Sequence, residues 1–82
     1  MQSQKLNSAY VGATIAVMAQ LQDALTSGQN DARKAGDMRK YASCYCAYKQ
    51  IENCIVVLVD IRVRLEKAEA DALSAAMMEG QK

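Results

Sequence analysis

With 82 residues, a formal net charge of +1 and no histidine, the chain has room for one small domain. It lacks the charge for long-range attraction to nucleic acid or an anionic membrane, and the one side chain that titrates unperturbed near neutral pH. Hydrophobic residues make up 51% of it, yet aromatics are 5%, all tyrosine, with no Trp, Phe or Pro. That is a helix-forming composition whose binding must rest on packing, and it points away from an enzyme and away from any cofactor or metal.

The N-terminal stretch Met1 to Tyr10 has no charged region followed by an apolar one, so no secretory signal is expected. A first helix can start between Ser3 and Ser8, where Ser and Asn offer capping groups, and runs to at least Leu25. It carries two apolar stripes. One is Leu6, Tyr10, Ala13, Val17, Leu21 and Ala24; the other is Val11, Ile15, Met18 and Leu25. A two-helix packing can hide only one of them, and apolar surface left over marks a docking site.

Two segments can end this helix. Ser27 to Asp31 reads as a loop, while Ala35-Gly36-Asp37 reads as a tight turn in which Gly36 takes the left-handed position and Asp37 caps the next helix. Local chemistry does not choose between them. Around these segments Arg33, Lys34, Arg39 and Lys40 alternate with Asp31 and Asp37, which suits a solvated helix end better than a phosphate-binding site.

The second helix is expected from Met38 to about Met78, with a stripe at Tyr41, Cys44, Tyr48, Ile51, Ile55, Leu58 and Leu65. Val59 to Glu66 alternates apolar and polar residues with the period of a strand. A lone strand leaves its backbone unsatisfied and no second strand offers a partner, so helix is the better reading. Cys54 to Val59 is the longest strongly apolar run, far short of the ~20 residues that span a bilayer. Beyond Leu65 the Ala- and Glu-rich sequence predicts an exposed helical extension.

Cys44, Cys46 and Cys54 match neither a zinc-binding nor a Cys-x-x-Cys redox spacing. Cys44 and Cys46 stand roughly 200° apart on a helix and cannot bridge there. They read as small hydrophobes in a reducing, cytoplasmic setting. Glu66, Glu69 and Asp71 do not share one helical face as a di-metal site requires. The tyrosines at 41, 45 and 48 read as packing positions rather than a stacking platform for bases.

From Ala19 to Leu65 the chain resembles the YscE, PscE and SsaE family of co-chaperones of bacterial type III secretion needles. The resemblance is carried by Gln20-Leu21, Ala24-Leu25-Thr26, Asp31 with Arg33-Lys34, Gly36-Asp37 followed by a basic residue and Tyr41, and Ile51-Glu52-Asn53-Cys54-Ile55 before a run of aliphatics. The chain departs from the family pattern in continuing past its usual end and in its cysteines. The resemblance implies an all-α, coiled-coil-like antiparallel two-helix hairpin with its turn at 35–37. The expected layout is one domain over 1–82, with helices at about 5–34 and 38–78 and scope for a short helical turn before them. It also implies a cytoplasmic role in virulence: binding a tetratricopeptide-type chaperone and, through it, keeping the needle subunit monomeric before export.

Antiparallel stripes in step would pair Tyr10, Val17, Leu21 and Ala24 with Tyr48, Ile51, Ile55 and Leu58. The residues left for the partner are then Val11, Ile15, Met18 and Leu25 with Val57 and Ile61. No nucleic acid and no stable membrane insertion are expected. The competing class is a stand-alone module in which two hairpins pair into a homodimeric four-helix bundle, its basic turn touching nucleic acid.

Overall fold

The computed structural model describes residues 5–80 as two helices, α1 (Ser8–Ala35) and α2 (Met38–Glu79), folded into an antiparallel hairpin of 70 × 28 × 14 Å. Residues 5–7 are not helical; an additional N-terminal turn would fall before them, on residues outside those described. Asn7, in extended conformation, starts α1 by accepting from the Tyr10 amide through its side chain at 2.8 Å. The helix continues through Ser27 and Gly28 without a break. Thr14 and Thr26 donate their hydroxyls to the carbonyls four residues back at 3.0 Å, so neither competes for the helix's own amides.

The turn is made by local chemistry. Gly36 has φ 73°, and the Gly36 and Asp37 amides donate back to Arg33 O at 3.2 Å and Ala32 O at 2.8 Å, satisfying carbonyls that would otherwise be orphaned. Asp37 then caps α2, its carboxylate accepting from the Lys40 amide at 3.1 Å. Arg33 and Lys34 in the last turn of α1 complement its dipole.

α2 is helical through Val59 to Glu66, and no strand occurs among the described residues. The alternating pattern there conceals helical pairs. Asp60 and Arg64 meet at 3.1 Å and Arg62 and Glu66 at 2.8 Å, each four residues apart, while Ile61 and Leu65 turn half inward.

The seam between the helices corrects the expected pairing on α1. Val11 (2% exposed) and Ala32 (1%) are buried, and Ile15, Met18, Gln22, Leu25 and Gln29 between them are half-buried; Tyr10, Val17 and Leu21 are 44%, 63% and 48% exposed. The chosen line advances by alternate steps of four and three residues over its whole length, the repeat that keeps one seam facing a partner helix. α2 answers with the same repeat, Tyr41, Cys44, Tyr48, Ile51, Ile55 and Leu58, all half-buried. One approach between the helices is tight: Cys44 Sγ stands 3.2 Å from the position a Cβ would take on Gly28, whereas the Arg62 guanidinium is at ordinary contact distance, 3.5 Å, from that of Gly12.

The open end is closed by a cap from the other helix. Glu69 of α2 accepts from the Ser8 amide at 3.0 Å and the Ser8 hydroxyl at 2.8 Å, bringing a carboxylate to the positive end of the α1 dipole. Past Glu69, α2 continues without a neighbour among the described residues, and every residue from 66 to 80 is exposed.

Three stability changes are expected from these contacts, all read as urea midpoints. Gly12→Ala should stabilise the hairpin by about 0.5–1 kcal/mol, since alanine is the better helix former and its methyl meets Arg62 at ordinary contact distance. Gly28→Ala should gain less, because Cys44 must give way by a few tenths of an ångström. Glu69→Ala should cost about 1 kcal/mol and speed amide exchange in the first turn of α1, whereas Glu79→Ala should do neither.

Candidate docking face

Among the described residues no group of three or more His, Cys, Asp or Glu is placed to hold a metal ion. Of the three carboxylates weighed for such a role, Glu66 is engaged with Arg62 and Glu69 with the start of α1. Cys44 packs toward Gly28 in the seam, while Cys46 and Cys54 are exposed thiols. Lys49 has its pKa raised by the hydrogen bond from its ammonium to Glu52 at 3.3 Å and by that carboxylate's charge, an exposed arrangement that holds the lysine protonated. No helix among the described residues is long and apolar enough to cross a membrane.

A helix with one neighbour buries one stripe and shows the rest. Beside the seam runs a shallow apolar groove of about 360 Å³, lined by Met18 of α1 and by Asn53, Cys54, Val57 and Leu58 of α2. On α1 the groove residue is Met18. At about 100° per residue, Leu21, Tyr10 and Val17 stand within about 60–100° of Met18 on one side, while Gly12 stands about 120° away on the other. The groove and this stripe therefore form one continuous face, with Val57 (58% exposed) and half-buried Ile61 along its α2 border.

The residues expected to meet a partner divide accordingly. Val57 and Ile61 lie on this face, and Met18 forms part of its floor. Val11 is closed off inside the hairpin, and Ile15 and Leu25 are half-buried along its seam. The outward α1 surface consists of Tyr10, Val17 and Leu21, the residues expected in the helix pairing. The missed signal was the unbroken four-three spacing from Val11 to Ala32, which passes through Gln22 and Gln29 and so looks interrupted when only apolar residues are counted. α2 also exposes Tyr45, Val56 and Val63 on its other flank, where the Lys49 ammonium sits 5.8 Å from the Tyr45 ring centre.

The seam sets opposite expectations for two neighbouring substitutions. Ile15→Asp should lower stability by ~2 kcal/mol or more by forcing a charge into the helix contact, and Val17→Asp should leave helical content intact, with a change within ~0.5 kcal/mol. Circular dichroism with urea titration at low protein concentration separates them.

Set against protein-family models, curated proteins and solved structures, the chain matches none.

Proposed function

We propose that the protein is a binding module whose groove face docks a helical-repeat chaperone, as the type III secretion co-chaperones it resembles do in the cytoplasm, and that the pair keeps a needle subunit monomeric before export. The observation that carries this reading is the apolar face left open after the seam has closed: Tyr10, Val17 and Leu21 flanking the groove of Met18, Cys54, Val57 and Leu58. An antiparallel helix pair is also the unit from which tetratricopeptide arrays are built, so a hairpin of this shape can stack on such an array as an additional repeat and cover its terminal apolar surface. A needle subunit with a free sticky face would polymerise, and a partner that binds only the monomer holds it back by mass action.

An interface of ordinary size removes ~800 Å² from each partner and concentrates its energy in a few central side chains. Val17→Asp and Val57→Asp, on the two borders of the groove, should each reduce capture of a co-expressed tetratricopeptide-type needle chaperone by at least about tenfold, the effect of losing one central side chain. Val63→Asp, on the far flank of α2, should bind normally. Capture that survives both groove substitutions and is lost with Val63→Asp would overturn the placement of the face. A wild-type chain that captures no such chaperone would overturn the reading itself.

A further inference from the structure

The groove face lies near the middle of a molecule whose two ends carry opposite charge. At about 1.5 Å per residue, Val57 is about 30 Å along α2 from Asp37, and Val17 of α1 lies at nearly the same height. Around the turn, residues 31–40 hold four basic side chains against two acidic ones; along the extension, residues 66–82 hold four acidic against two basic. On α2 the charges and the face share one side. At about 100° per residue Arg39, Val57, Ile61, Asp71 and Glu79 fall within roughly a quarter of the helix circumference.

From this placement we propose that the isolated chain pairs with a second copy through the groove face in antiparallel order, about a two-fold axis near Val57, with the basic turn of each copy beside the acidic extension of the other. The distances agree with the charges. A two-fold axis about 30 Å from the turn carries Arg39 and Lys40 of one copy to about 57 Å along the other's α2, between Asp71 at about 51 Å and Glu79 at about 63 Å. Such an interface is self-complementary, so each charge contact occurs twice. A parallel arrangement would set basic turn against basic turn and acidic extension against acidic extension, which opposes association. Because the antiparallel pairing uses the same surface as the chaperone proposed above, the two associations exclude one another, yet the pairing stands on the isolated chain and needs no heterologous partner.

The test is sedimentation equilibrium of the full chain alone, with helical content followed by circular dichroism. The wild-type chain should dimerise, more weakly at high salt. Arg39→Glu with Lys40→Glu should raise the dissociation constant roughly tenfold, the expected sum of several exposed ion pairs. Adding Asp71→Lys and Glu79→Lys to that variant should restore the wild-type value, because the pairs are then reversed rather than broken. Val17→Asp should leave a helical monomer and Val63→Asp a dimer. A wild-type chain that stays monomeric, a quadruple variant no tighter than the double, or a dimer lost with Val63→Asp and kept with Val17→Asp would each overturn the proposal. None of these outcomes bears on chaperone capture, which is measured separately.

Discussion

A helix with a single neighbour has one seam, and everything else about this molecule depends on which stripe of α1 occupies it. Both candidates are apolar, so hydrophobicity alone does not decide. Continuity toward the turn does. The line through Val11, Ile15, Met18 and Leu25 reaches the turn at Ala32, small enough to be fully covered where the helices converge. The rival line through Tyr10, Val17 and Leu21 continues to Asp31, whose carboxylate would be pressed toward α2 at the tightest part of the hairpin. Gln22 and Gln29 in the chosen seam are neutral and only half-buried, a much smaller desolvation cost. Gly28 then lets Cys44 approach the α1 backbone from α2.

The parts of the fold that were legible in the sequence are those set by local chemistry. Gly36 and Asp37 contain their own instructions, a left-handed residue followed by a cap, and the hairpin turns there. Whether α1 crosses Gly28 was open to a local reading, because Ser, Gly, Asn and Asp favour loops; the seam holds the helix together across them. The segment after Ile55 was ambiguous for a related reason. Its polar residues pair at a spacing of four along the helix, and period two contains that spacing. The Glu69 cap on Ser8 was beyond local reading, since it depends on the register of residues 61 positions apart. The choice of seam failed for a sharper reason: a count of apolar residues scores glutamine as a break, whereas a coiled-coil repeat tolerates it.

Moving the seam changes the candidate docking residues without changing the chemistry on offer. An apolar face remains, now built from Tyr10, Val17 and Leu21 with the α2 border that includes Val57 and Ile61. So small a hairpin buries little. Val11 and Ala32 are the buried hydrophobic residues among those described, so a partner bound to the open face, as proposed, would add to the stability of the fold by mass action.

The central claim is the orientation of α1, and side-chain contacts between the helices test it most directly. In methyl-labelled protein, with contacts between copies filtered out, nuclear Overhauser effects should connect Val11, Ile15 and Met18 to Ile55, Leu58 and Ile61 of the same chain. Val17 and Leu21 should show no comparable contacts to Ile51 and Ile55. The opposite pattern, with Val17 and Leu21 touching Ile51 and Ile55 and with Val11 and Ile15 free of α2, would contradict the account.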